Sequence, residues 1–401
     1  MKYTDYIDLT YTPYKNDIIC KFYLEPLRLS LKETAGAVAA ESSIGTWTEV
    51  KTEKQYVKKL AAKVFSIEQT NKKAAIIEIA YSSKLFEQGN IPNILSSIAG
   101  NIFGLEEIKN IRLLDINFPK SFIKSFQGPK YRIKGIREIM KIENRPLLGT
   151  IIKPKLGLNS EDHAKVAYVS WLGGCDLVKD DENLSNQNFN RFEVRLKKTL
   201  KMKDKAEKET GEKKAYIINV TAETKEMIKR VKLVENYCNE YVMIDVITSG
   251  FAALQTLRNL DLNLIIHAHR AGHAAVTKSK KHGISMKVIA KLCRFAGVDQ
   301  LHVGAAFGKM FENKQEVGKN LKAIKEECGL KEVMPVASGG LSPKDVPNII
   351  NFFGRDVVIQ MGGGIHGHIK GSLYGAKAAR EAIESVISGI EIKEAQKHIK
   401  N

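Results

Sequence analysis

The segment Gly173-Gly174-Cys175-Asp176-Leu177-Val178-Lys179-Asp180-Asp181-Glu182-Asn183 ends a short apolar run with a lysine set directly against three acids. Such a run reads as a buried parallel strand whose polar residues emerge at its C-terminal end. Residues i and i+2 of a strand point to one side, so Lys179 and Asp181 share a face, with Glu182 on the following turn. Two carboxylates are a usual protein contribution to a hard divalent cation such as magnesium. A lysine ammonium would repel that metal. It fits if burial lowers its pKa and the neutral amine is carboxylated, which turns a cation into an anionic oxygen ligand. The plainer alternative is a lysine that neutralises neighbouring acids on a rim.

Other strand-like runs end in charged groups too. Lys153 and Lys155 straddle Pro154 and could grip a phosphate, or one could act as an acid; both could also be rim lysines in water. His267 and His269 form an H-x-H that reads either as a zinc pair or as one core histidine plus one functional one. Arg270 offers a fork suited to phosphate. Gln300-Leu301-His302 ends a further run, and the glycine-flanked loop Gly304–Glu312, with Lys309, either closes over a substrate or simply connects. Ser338-Gly339-Gly340 and Gly362-Gly363-Gly364 follow the last two runs, where barrel proteins commonly bind phosphate through backbone N–H groups. Cations around one rim point to a substrate with two anionic ends and a metal between them.

The elements that must position these groups alternate strand and helix from about residue 129. Eight strand-like runs are expected at Leu147–Lys153, Asp176–Lys179, Ala215–Val220, Tyr241–Ile247, Asn263–His267, Gln300–Val303, Glu332–Ala337 and Asp356–Met361. Amphipathic helices such as Ser160–Leu172, Thr224–Cys238, Ser285–Phe295 and Ser342–Phe352 lie between them, with Ser160 and Ser342-Pro343 as helix-start signals. The fold class is therefore α/β, a (β/α)8 TIM barrel over 129–401. Residues 1–128 mix strands (Asp17–Tyr23, Lys58–Ile67, Ala74–Tyr81, Ile111–Phe118) with helices (Leu29–Ala40, Pro92–Ala99), which predicts a smaller α+β N-terminal domain.

Composition narrows the class of function. No apolar stretch approaches a membrane span, the N-terminus does not begin like a signal peptide, and five scattered cysteines form no framework, so a cytoplasmic protein is expected. The net charge of +18 favours anionic partners. However, the eight lysines of residues 197–214 are interleaved with Asp204, Glu207, Glu209 and Glu212, the pattern of a solvated helix face. Nucleic-acid binding is not expected.

These motifs in this order resemble the large, catalytic subunit of ribulose-1,5-bisphosphate carboxylase/oxygenase (RuBisCO), most closely the archaeal-type form III. Glu41-Ser42-Ser43-Ile44-Gly45-Thr46-Trp47 and Gly100-Asn101-Ile102-Phe103-Gly104 match its two N-terminal active-site segments. Gly149–Gly157, Gly173–Asn183, His267–His273, His302–Lys309, Ser338–Gly340 and Gly362–His368 match the barrel motifs. The resemblance implies that Lys179 is carbamylated by a non-substrate carbon dioxide and that its carbamate, Asp181 and Glu182 hold magnesium. The metal would polarise the C2 and C3 oxygens of ribulose 1,5-bisphosphate while the carbamate takes the C3 proton, giving an enediolate. Lys153 would deliver a proton to C2, Lys309 would stabilise the new carboxylate, and His269 would assist hydration. Arg270, His302 and Ser338 would hold one phosphate; Thr46, Trp47, Gly340, Gly362 and Gly363 the other. Lys155 and Gly339 also count among the substrate contacts. Glu41 and Asn101 would come from a neighbouring subunit, in a homodimer or an assembly of dimers, with no small subunit expected.

The implied reaction is carboxylation, with side oxygenation, to 3-phosphoglycerate, in nucleotide-ribose (AMP) salvage. The alternative within the same family is an enolase or isomerase that enolises a phosphorylated substrate without fixing carbon dioxide. The chain departs from the usual pattern in its lysine loop, which reads Gly304-Ala305-Ala306-Phe307-Gly308-Lys309-Met310-Phe311-Glu312 against the usual Gly-Thr-Val-Val-Gly-Lys-Leu-Glu-Gly. Ile151 and Ile365 stand at positions where threonine is usual.

Overall fold

The computed structural model describes residues 1–308 and 311–389, and the chain forms two compact units. The first comprises 1–127 with 272–296 and 327–330; the second comprises the remaining described residues.

The first unit is built on a five-stranded sheet. Asp17–Pro26 pairs antiparallel with Ala74–Ser82 on one side and Ile108–Asn117 on the other. Lys63–Asn71 and the two-residue strand Gly283–Ile284 form the edges. Asp17–Pro26 alternates half-buried and buried residues, the period of a sheet covered on one face. The strand expected from Lys58 begins only at Lys63, because Val57–Leu60 forms a 3-10 turn. Adjacent Lys58 and Lys59 would have put a charge on both faces of a strand there. Helix Leu31–Glu41 starts at Ser30, which with Glu33 makes a capping box, and helix Ile91–Ile98 starts at Asn90. Met286–Ala296, the expected Ser285–Phe295 helix, groups with this sheet: Lys291 bonds Asp115, and Phe295 meets Phe118 and Phe126.

The second unit is a closed eight-stranded parallel barrel, the arrangement that the βα alternation indicated in preference to an open sheet. In order its strands are Leu147–Ile151, Leu177–Lys179, Ala215–Asn219, Tyr241–Asp245, Ile265–His269, Gln300–His302, Met334–Ser338 and Val358–Gln360. Closure is made by the pairing of Gln360 with Gly149. Glycine is required at Gly149, since a Cβ there would come within 2.9 Å of the Gln360 side chain.

Strand ends differ from expectation by a few residues. The first stops at Ile151, short of Lys153, and the fourth passes at Asp245 straight into the helix that begins at Val246. The fifth runs on to His269. Helix Ser160–Leu172 has the expected span, but its cap is Asn159, whose side chain accepts from Glu161 and Asp162 N–H, and Ser160 is the first helical residue.

What gives the barrel its polarity is a plug. Ile133, Ile136 and Met140, one face of helix Ile133–Met140, pack against Leu147, Leu177, Ala215, Tyr241, Ile265, Met334 and Val358 near the strand beginnings. Asp176 and Asp299 brace that end. Each accepts a backbone N–H from a neighbouring strand, Leu148 and Ile266 respectively, and each pairs with an arginine: half-buried Arg145 with Asp176, buried Arg258 with Asp299. With one end apolar and sealed, the polar side chains collect at the other. Among the described residues no helix is long and apolar enough to cross a membrane.

Candidate active site

The second strand delivers Lys179 with its side chain 1% exposed. Its Nζ donates to the Asp180 carbonyl at 2.8 Å and lies 3.0 Å from Met243 Sδ on the fourth strand. Burial pulls this amine below the ordinary lysine value, Lys153 adds to the pull, and Glu182, Asp181 and Asp180 oppose it. The neutral form is thereby favoured, which is the form that reacts with carbon dioxide.

The three acids after Lys179 separate by role. Asp180 turns into the barrel wall, where its carboxylate meets Arg195 Nε at 3.1 Å, Tyr216 Oη at 2.6 Å, His163 Nε2 at 3.1 Å and Asn219 N at 3.1 Å. Although burial pushes its pKa up, Arg195 and His163 hold it well below the carboxylate range. Asp181 and Glu182 go to the mouth. Asp181 Oδ2 lies 2.6 Å from Lys153 Nζ. Glu182 Oε2 lies 3.7 Å from His269 Nε2, and His269 and Lys179 hold its carboxyl down against the upward push of burial. Lys155 is exposed and reaches Asn183 at 3.3 Å. Both lysines of the Lys-Pro-Lys run therefore bond the 181–183 turn.

This donor set suits a hard cation. Among the described residues no three His, Cys, Asp or Glu side chains are grouped for a metal. Asp181 and Glu182 supply two anionic oxygen donors, and a carboxylated Lys179 would supply a third. Asp245, which the sequence reading missed, stands beside His269. Its Oδ1 is buried, has no hydrogen-bond partner among the described residues, and lies 3.7 Å from His269 Nδ1. An acid ending the apolar run Tyr-Val-Met-Ile-Asp carries the same signal that singled out Asp181.

The histidines form a directed chain. His267 Nδ1 is 2.8 Å from Gln300 Oε1, which can only accept, so Nδ1 carries the proton. His267 Nε2 then accepts from His302 Nε2 at 2.9 Å, and His302 Nδ1 accepts from the Ser338 hydroxyl at 2.7 Å. Burial, with Lys179 nearby, lowers His267 to about 3. His302 is also driven well below its usual value, by burial first. Burial thus favours the neutral form of both rings, and both nitrogens of His267 are engaged, which goes against the zinc-pair reading of the H-x-H. His269, partly exposed, is the member left facing the mouth.

Arg270 follows the fifth strand, buried, with Nη1 2.5 Å from Glu312 Oε1. Gly339 and Gly340 both have positive φ (120° and 74°), and Gly362 sits against Lys153, whose Cε would be 3.3 Å from a Cβ at that position. Lys309 lies outside the described residues. In the first unit, Asn101 Nδ2 donates to Glu41 Oε1 at 3.1 Å; Thr46 is half-buried and Trp47 is 80% exposed.

Comparison with known proteins gives the chain a family. The family description "Ribulose bisphosphate carboxylase large chain, catalytic domain" matches residues 132–401, and the corresponding N-terminal domain matches residues 5–122. The chain is 48% identical to the ribulose bisphosphate carboxylase of Methanocaldococcus jannaschii, over 98% of this chain and 97% of that one. It is also 48% identical to that of Pyrococcus furiosus, over 98% and 94%. The octameric Rubisco of Pyrococcus horikoshii, solved as a sulfate complex, superposes with a TM-score of 0.96 at 44% identity, covering 100% of this chain and 95% of the other. The dimeric archaeal Rubisco of Hyperthermus butylicus gives 0.93 at 44% identity, covering 98% and 95%. With both of its parts matched and relatives aligned nearly end to end, the chain belongs to the ribulose bisphosphate carboxylase large chain family.

Proposed function

We propose that this protein carboxylates ribulose 1,5-bisphosphate to 3-phosphoglycerate, with oxygenation as a side reaction, using Lys179 as a carbamate. The observation that carries the reading is the buried Lys179 amine, its pKa lowered, beside Asp181 and Glu182. The neutral amine adds to carbon dioxide and releases one proton, leaving an anionic oxygen donor. A carboxylated Lys179 with Asp181 and Glu182 would hold magnesium, which would supply Lewis acidity to the sugar's oxygens.

Lys179, once carboxylated, would be placed to accept the C3 proton of the substrate. Lys153 returns a proton to C2; its contact with Asp181 keeps its Nζ at the mouth. His269, between Glu182 and Asp245, assists hydration at C3, and Lys309 stabilises the new carboxylate. Arg270, His302 and Ser338 take one phosphate. Gly340, Gly362 and Gly363 take the other, with Thr46 and Trp47; Lys155 and Gly339 line the substrate path. Glu41 and Asn101 complete the site of a partner subunit in a homodimer or an assembly of dimers. The cytoplasmic role is salvage of nucleotide ribose.

Protein preincubated with bicarbonate and magnesium, then given ribulose bisphosphate and labelled bicarbonate without oxygen, should form acid-stable labelled 3-phosphoglycerate. Folded protein that makes none overturns the proposal. Proton exchange at C3 without carbon fixation would reassign the chain as an enolase.

A further inference from the structure

Glu312 stands where the usual form of the lysine loop has its third glycine, and this chain uses the carboxylate it gains. The Glu312 and Arg270 side chains are 3% and 6% exposed, so the pair lies largely out of water. Gly304, at φ 93°, makes room for it. A Cβ there would approach Arg270 Nη2 to 3.3 Å and Glu312 Cδ to 3.6 Å.

A guanidinium buried to this degree needs an anion beside it. Burial pulls the pKa of Arg270 down and Glu312 pulls it back, so the acid stabilises the charged form. The same guanidinium is needed by the substrate. A carboxylate and a phosphate oxygen compete for one fork of N–H donors, and both cannot be seated on the same face.

We propose that Glu312 is an internal competitor for the phosphate pocket: it neutralises Arg270 in the ligand-free protein and must leave when a phosphate binds. The inference rests on the reading of Arg270 as a phosphate ligand and deepens it. A dianionic phosphate outbids the single carboxylate by charge, and Glu312, once displaced, regains water. Monoanions such as acetate have no such advantage and are turned away. Glu312 therefore trades affinity for selectivity, and it keeps a buried cation paired while the pocket is empty.

The test is calorimetric titration of inorganic phosphate and of ribulose 1,5-bisphosphate into the wild type and Glu312→Gln, paired with thermal melting. Glutamine keeps the shape and removes the charge. Glu312→Gln should bind both ligands about tenfold tighter, the factor expected when one charge-assisted contact no longer has to be broken. Without ligand it should melt lower than the wild type, and phosphate should raise its melting temperature more. Unchanged or weaker phosphate binding by folded Glu312→Gln overturns the inference, as does a lower melting temperature that phosphate does not restore. The double variant Arg270→Met/Glu312→Gln separates the two claims. If it binds bisphosphate as well as the wild type does, Arg270 is no phosphate ligand and both readings fall. If it binds weakly while Glu312→Gln gains nothing, only the competitor role is lost.

Discussion

Asp180 serves Lys179 with its backbone and Arg195 with its side chain: the lysine amine is 2.8 Å from the Asp180 carbonyl, while the carboxylate lies 3.1 Å from Arg195 Nε on the opposite side of the strand. One residue thus ties the reactive amine to the barrel wall. The buried pair Asp180–Arg195 orients the turn that follows, and Asn219 bonds the same turn at Glu182 O and Leu184 O.

Removing one partner of that pair should be costly. Arg195→Met leaves Asp180 buried and uncompensated, and a stability loss of about 3–5 kcal/mol is expected in urea unfolding. The double change Asp180→Asn/Arg195→Met should recover part of it. A single variant as stable as the wild type would show that the network does not anchor the turn.

Lys153 should act on the chemistry and not on metal capture. Lys153→Met is expected to lower kcat by about 10²–10⁴ with little change in KM, the range for loss of one acid–base group. Magnesium binding, followed calorimetrically, should hold or tighten, since the lysine competes for Asp181. Lost magnesium affinity would contradict this.

Activation should depend on pH in a definite direction. Carbon dioxide reacts with the uncharged amine, and burial lowers the Lys179 pKa from the ordinary lysine value of 10.5. At fixed dissolved carbon dioxide, the activation rate should rise with pH and level off below that value. Lys179→Met should show no activation at any pH.

His267 should make folding acid-sensitive. Its pKa is about 3 when folded, against about 6.5 unfolded, so the unfolded chain binds the extra proton between those values. Its share of stability is intact above about pH 6.5 and falls by roughly 1.4 kcal/mol per unit as pH drops toward 3. Denaturant unfolding of His267→Gln should show a flatter acid slope. Identical slopes would mean that His267 does not stay neutral.

A site shared between subunits can be tested by mixing. Glu41→Gln and Lys179→Met should each be inactive alone. If each site takes Glu41 from one subunit and Lys179 from its partner, random reassembly of an equal mixture restores about a quarter of wild-type activity. No recovery, with mixed dimers demonstrated, would place both residues in one subunit's site.

Much of this was legible before the structure. Eight apolar runs with polar ends indicated a parallel barrel in preference to an open sheet, because strands buried on both faces can show charge only where they emerge. That put Lys179, Asp181, His269 and Ser338 at strand ends from spacing alone. Boundaries such as Ile151 and Asp245 were not legible, because a strand stops where its pairing partner stops, and the partner is distant in sequence.

What the order of residues could not decide was partnership. Lys179-Asp180-Asp181-Glu182 reads as one charge cluster, yet the barrel wall claims Asp180 and the mouth keeps Asp181 and Glu182. The H-x-H reads equally as a metal pair or as a core histidine beside a functional one, and only the seating of Gln300 and His302 on both nitrogens of His267 chooses the second. Glu312 carries no signal until Arg270 is seen beside it. Sequence alone determined which side chains emerge at the open end, since strand period and burial are local rules. Only tertiary structure decided which of them meet, since low-dielectric pairing depends on distances between strands that the chain reaches by different routes.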